Sequence, residues 1–317
     1  MGQHITVLGQ NWNTKLRSKL RSAFGASSGL RWVWNSLYQF LRKTLVLAAV
    51  LFGLAILGTI APAPVWAQSP DPAHQASLRE LYRSVDAIFQ AAFSATQAGD
   101  FAAAEAQWTK AIELLPDNPA AWSNRGNAHL SQFQIPEALA DFNQAVALAP
   151  NLPDPYINRG IAWEALGDWS SAIADYDRAI ELNPKDAVAY NNRGNAKGGA
   201  GDWPGAASDF KTATELAPGL AAAGVNYALA LYQIGEKPEA TRLLKNLVRK
   251  YSQFADPRAA LSAVLWDQGL KGEAESNWYP VMGLDPRYKD REWLSTIRRW
   301  PPKAVEAIDL FLRLDHR

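Results

Sequence analysis

The chain has 317 residues, nearly half of them apolar, and no cysteine. Disulfides, thiolate nucleophiles, zinc–thiolate sites and a lipidated N-terminal cysteine are therefore excluded, while a sizeable core in one or two domains is not. The near-zero net charge hides an asymmetry: residues 1–67 carry seven basic side chains (Lys15, Arg17, Lys19, Arg21, Arg31, Arg42 and Lys43) and no acid, which leaves 25 basic against 31 acidic beyond them. A net charge of −6 on that remainder makes it a poor binder of nucleic-acid phosphates.

Residues 1–43 form a basic amino-terminal region, within which RWVWNSLYQFLRK has the pattern of an amphipathic surface helix. Thr44–Ala61 is an uncharged apolar run, and Val65-Trp66-Ala67 follows as a small-x-small cleavage site before Gln68. We read 44–67 as the apolar region and cleavage site of a signal peptide. The alternative is an uncleaved single-pass anchor, because eighteen residues of helix reach about 27 Å, enough to cross a bilayer core. Either reading carries residues 68–317 across a membrane, since the positive flank stays cytoplasmic. Membrane contact through 44–61 is expected only if the segment is retained.

Residues 68–84 begin as a polar linker (QSPDPAHQ) and turn helical around Leu78, Leu81 and Tyr82. A period of 34 residues then takes over. It places Trp122, Tyr156 and Tyr190 in step, as it does Gly126, Gly160 and Gly194, Ala138, Ala172 and Ala206, and Pro150, Pro184 and Pro218. Stepping back from Trp122 gives a diverged copy with Ala92, Ala104, Trp108, Ala111 and Pro116. Stepping forward gives Ala228 and Ala240, then Ala274, Trp278 and Pro286. The copies are 85–118, 119–152, 153–186, 187–220, 221–254 and 255–288. Each reads as two helices around a Gly-Asp or similar turn, as in AGDF, LGDW and AGDW.

This period, with its aromatic, small and proline positions, resembles the tetratricopeptide repeat (TPR). The resemblance implies an all-α, right-handed superhelical solenoid of about six repeats, used to bind protein or peptide. Residues 289–317 are expected to cap the last repeat as two short helices broken at Trp300-Pro301-Pro302, the second burying Val305, Ile308, Leu310, Phe311 and Leu312. Trp278, Tyr279, Tyr288, Trp293 and Trp300 form either the core of that cap or a docking patch. The tail is similar to that of TPR proteins of cyanobacteria and other oxygenic phototrophs, including thylakoid-lumen proteins. That similarity implies a location in the thylakoid lumen or periplasm, and a role in assembling or maintaining a membrane (photosynthetic) complex.

Little in the sequence suggests chemistry. His4, His74, His129 and His316 are isolated in sequence, and no phosphate-binding glycine loop, HExxH or GxSxG is present. No enzyme, cofactor or metal is expected. In the family, the first helix of each repeat lines a groove through positions 2, 5, 6, 9 and 12. Position 6 is Asn124, Asn158, Asn192 and Asn226, a ladder whose amides can pair with both edges of an extended peptide, or else bond within their own helix pairs. Phe89, Phe93, Asn127, Ile161, Asn195, Leu229 and Tyr232 complete the expected groove. The family's clamp for a partner's C-terminal carboxylate does not fit. Asn127 and Asn158 match its amides, but Ser123, Val188 and Asn192 stand where it needs cations.

Position 7 carries Arg125, Arg159 and Arg193, each sixteen residues before Asp141, Asp175 or Asp209. We read these as structural pairs rather than a row of cations for an acidic ligand. As exposed pairs they would contribute at most about 1 kcal/mol each. The competing view of the whole chain is a self-associating, membrane-tethered spacer that works through its cap instead of its groove.

Overall fold

The computed structural model describes residues 72–314. The signal peptide or anchor expected at 44–67, its basic flank and the start of the linker lie outside the described residues. Among those described, no helix is long and apolar enough to cross a membrane. The chain divides into two compact units, Met1–Ala91 and Ala92–Arg317. The described part of the first is the amino-terminal portion of α1 (Pro72–Gln97).

The second unit is a solenoid of stacked helix pairs. After the end of α1 come α2 (Phe101–Leu114), α3 (Pro119–Ser131), α4 (Ile135–Leu148), α5 (Pro153–Ala165) and α6 (Trp169–Leu182). They continue as α7 (Ala187–Gly199), α8 (Trp203–Leu216), α9 (Ala221–Gln233), α10 (Lys237–Lys250), α11 (Ala255–Asp267) and α12 (Lys271–Leu284). From α2 onward, every helix starts 34 residues before its counterpart in the next pair. The helix starts follow from local chemistry. Asn118 and Asp186 accept hydrogen bonds from the first-turn amides of α3 and α7, while Asp100, Asp168 and Asp202 do the same for α2, α6 and α8. Each of those last three aspartates follows a glycine with positive φ, which ends the preceding helix without steric cost.

The second pair breaks this rule. Where the other five have Gly99, Gly167, Gly201, Gly235 and Gly269, it has Phe133 at φ 61°, with its ring 84% exposed. The next residue, Gln134, makes no side-chain cap. A left-handed conformation costs a non-glycine residue about 1–2 kcal/mol, and glycine's extra freedom in the unfolded chain returns part of that. Phe133→Gly is therefore expected to raise stability by about 0.5–1 kcal/mol, read as a higher urea midpoint. A lower midpoint would mean that the ring makes contacts in the folded state worth more than the strain.

Packing within a pair is large against small. Trp108, Phe142, Tyr176, Phe210, Leu244 and Trp278 occupy one repeat position, and all are buried. Opposite three of these rings, a Cβ on Gly126, Gly160 or Gly194 would come within 2.6–2.7 Å of the ring atoms. Only glycine fits there. The alanines Ala104, Ala138, Ala172, Ala206, Ala240 and Ala274 are fully buried where the paired helices cross.

After α12 the chain forms a 3-10 turn (Pro286–Lys289), a π turn (Trp293–Ile297) and α13 (Pro302–Leu314). The break at Pro301-Pro302 is as expected, but a π turn stands where a short α-helix was anticipated. Val305, Ile308 and Phe311 are buried, and the Phe311 ring meets Trp266 and Trp278 edge-on at 5.3 and 5.6 Å. Leu310, expected inside, is half exposed. The aromatic docking patch is also corrected. Trp278, Tyr288 and Trp300 are buried and Trp293 is half-buried against them, so these rings are cap core. Trp278 is simply the sixth copy of the repeat's large core position.

Candidate functional site

The arginines of position 7 are structural. Arg125, Arg159 and Arg193 each place two nitrogens on the carboxylate of Asp141, Asp175 or Asp209 at 2.6–2.8 Å. The remaining nitrogen reaches back to the preceding pair, at Thr109 (3.4 Å), Asn143 (2.8 Å) or Asp177 (2.6 Å). Each guanidinium also lies over the ring three residues before it, on Trp122, Tyr156 or Tyr190, at 4.9–5.7 Å. The hydrogen bonds to these aspartates hold all three arginines above the usual guanidinium pKa. Because the three aspartates are buried, the value of at most about 1 kcal/mol for exposed pairs does not apply. His129 is not isolated in space: its Nδ1 is 2.6 Å from Gln134 Oε1, and its Nε2 is 3.6 Å from Asp141 Oδ2.

The asparagine ladder divides into two parts. The amides of Asn124, Asn127 and Asn158 are half-buried and have no hydrogen-bond partner among the described residues. Asn192 accepts from Asn191 at 3.4 Å. Asn226 is fully engaged: its Nδ2 donates to Asn191 and Asn195 at 3.1 and 3.4 Å, and its Oδ1 accepts from Arg298 at 3.3 Å. Tyr232 is buried and lines no open groove, and Leu229, also buried, reaches only a hollow that it lines together with Arg299 and Pro301. Phe93 packs edge-to-face on Trp108 at 5.0 Å inside its own pair. Phe89 belongs to the first unit, so the face described here begins after it. Ile161, by contrast, is exposed, one helical turn on from Asn158 in α5.

What covers the ladder's far end is the chain's own loop between the π turn and α13. Arg298 forms an ion pair with Asp256 through Nη2, and its Nε donates to the same carboxylate at 3.0 Å. Tyr288 Oη donates to Asp256 at 2.8 Å. Burial works against the charge of Arg298, but Asp256 more than offsets it and the pKa is raised. Arg299, at φ 56°, pairs with Glu164 and lies 5.7 Å over the Trp169 ring. The Lys303 backbone N–H donates to Gln233 Oε1 at 3.0 Å. Glu164, Asn226 and Asp256 hold positions 12, 6 and 2 of their repeats. The loop thus lies on the same first-helix face as the ladder.

Sequence reasoning missed Glu164, Asp256, Arg298 and Arg299. The available signal was two adjacent arginines before Trp-Pro-Pro, together with Glu164 at position 12, where no other repeat carries an acid; Asp256 gave less, because Asp86 and Asp154 share its position 2. No group of three His, Asp or Glu side chains that could hold a metal ion occurs among the described residues.

Comparison with known proteins agrees with this geometry. One tetratricopeptide-repeat model matches residues 126–191, and another matches 89–153 and 191–253. A search of curated proteins gives no match. Among solved structures, the fold is shared with a tetratricopeptide repeat protein from Parabacteroides merdae at 19% identity and a TM-score of 0.56, covering 74% of this chain and all of that one. Pseudomonas aeruginosa pilF is similar at 18% identity and a TM-score of 0.57, covering 65% of this chain and 94% of its own. A chain of the APC/C hetero-tetramer Cut9-Hcn1 is similar at 17% identity and a TM-score of 0.57, covering 80% of this chain and half of its own. With the two models together spanning residues 89–253, more than half of its length, the chain belongs to the tetratricopeptide-repeat family, whose members are typically non-catalytic scaffolds that bind protein or peptide partners.

Proposed function

We propose that the protein is a scaffold on the far side of a membrane that holds an extended segment of a partner on the first-helix face of its second to fourth repeats. The observation that carries this reading is the set of half-buried amides at Asn124, Asn127 and Asn158 that have no hydrogen-bond partner among the described residues, on first helices that also expose the apolar side chains of Ile161 and Val188. An amide can donate and accept at once, so a ladder of them suits peptide backbone, and the apolar neighbours supply anchors. The basic flank and apolar run at 1–67 support export to the periplasm or thylakoid lumen. A partner within a membrane complex, during its assembly or maintenance, fits that location.

The test is capture from detergent-solubilised membranes by the full chain, compared with its Asn124→Ala, Asn158→Ala double variant. We expect a partner retained by the natural chain and lost by the double variant, with helical content unchanged. A partner held equally by both would overturn the groove reading. Self-association with no partner at all would favour the spacer.

A further inference from the structure

The loop that covers the far end of the ladder marks a recognition site. Glu164 is 95% buried, and its carboxylate accepts the Tyr176 hydroxyl at 2.6 Å. A buried carboxylate is costly without a cationic partner, and Arg299 is the cation that pairs with it. Trp169 forms one wall of the same slot. Its ring lies against Gly199 of the next repeat so closely that a Cβ there would sit 2.8 Å from it. Carboxylate, hydroxyl and indole face together make a slot shaped for a planar guanidinium, which a lysine ammonium would fill less well. Beside it a hollow is lined by Asn195, Gly198, Trp203, Asn226 and Pro301.

Arg299 enters this slot at a cost. Its backbone is in the left-handed region at φ 56°, and burial lowers its pKa from the ordinary guanidinium value. The adjacent Trp300 buries its indole N–H without an acceptor among the described residues. Arg298 differs, because it is tied to Asp256 and Asn226 and belongs to the cap's own core. The occupant of the slot is therefore held less favourably than its neighbour.

We propose that Glu164 and Trp169 form an arginine-binding subsite of the groove, filled by Arg299 in the resting chain, and that the partner segment carries an arginine which displaces it. This rests on the groove reading above and adds the partner's chemistry: a basic, arginine-bearing peptide. Competition with an internal ligand lowers apparent affinity by the fraction of time the slot is filled, so removing that ligand raises it.

The probe is a fluorescently labelled synthetic peptide, RRWPPK, titrated by anisotropy against the full chain and its variants. Arg299→Ala is expected to bind it at least about tenfold more tightly than the natural chain. Adding Glu164→Gln, which keeps an acceptor for Tyr176 but removes the charge, is expected to abolish that gain. A peptide with lysine for both arginines should bind Arg299→Ala about tenfold more weakly. Equal affinity of the natural chain and Arg299→Ala, or a gain that survives Glu164→Gln, overturns the proposal. Circular dichroism identifies a variant that has lost its fold, and Arg299→Gly, which suits the positive φ, then takes the place of Arg299→Ala. The membrane capture with Asn124→Ala, Asn158→Ala is independent of this slot. A partner lost there while RRWPPK fails leaves the groove reading standing and removes only the arginine subsite.

Discussion

Arg298→Ala is expected to lower the stability of the folded chain by about 3–5 kcal/mol, the range for removing one member of a buried ion pair. Asp256 is fully buried, with Arg298 and Tyr288 as its hydrogen-bond donors. Removing the guanidinium leaves an anion that must either take up a proton or pull the cap away from the last repeat to reach water. The second route exposes Tyr288, Leu294 and Trp300, which lie in the same core cluster as α11 and α13. Urea unfolding followed by far-ultraviolet circular dichroism reads the loss. Arg298→Lys should fall between, because one ammonium cannot reproduce the fork that serves Asp256 and Asn226 together. A cost below about 1 kcal/mol for Arg298→Ala would mean that the apolar cap packing alone holds this end.

The repeats were legible because the same physical problem is solved at the same position in each copy. Gly126, Gly160 and Gly194 recur because each faces a ring, and the Gly-Asp turns recur because a positive φ and a helix cap are needed side by side. The arginine–aspartate pairs showed for the same reason. The cap could not be read this way. Arg298 meets Asp256 and Asn226 at separations of 42 and 72 residues, and each contact is made once, so no period announces it. Its aromatics could be read as core or as docking patch, because density of Trp and Tyr is common to cores and interfaces. Asn226 looked like its three counterparts, and only the folded chain shows that Arg298 claims it. Phe133 was legible in the same way as the repeats, since Phe133-Gln134 stands in the register where the other five turns place a glycine.

Arg159→Ala is expected to cost about 2–4 kcal/mol, somewhat less than the Arg298 change because Asp175 keeps 8% of its side chain exposed while Asp256 is wholly buried. Three contacts go at once: the two-point pair with buried Asp175, the reach back to Asn143 at 2.8 Å, and the stack on Tyr156. The middle of those contacts crosses between neighbouring pairs, and a solenoid's stability is a sum of such nearest-neighbour interfaces. Arg125→Ala should cost less, because its reach back to Thr109 is 3.4 Å long and it lies nearer the end of the array. Arg159→Met combined with Asp175→Leu should recover most of the loss, since apolar residues of similar volume need no compensating charge. Thermal and urea unfolding of the singles and the double give the coupling directly, as a double-mutant cycle. If the double loses as much as the two singles together, the pair is not what the arginine is there for. If it recovers, partner capture by the double variant decides the remaining question. A row of cations for an acidic ligand would lose its partner when Arg159 becomes methionine. A structural stack, already neutralised by its own aspartates, would not.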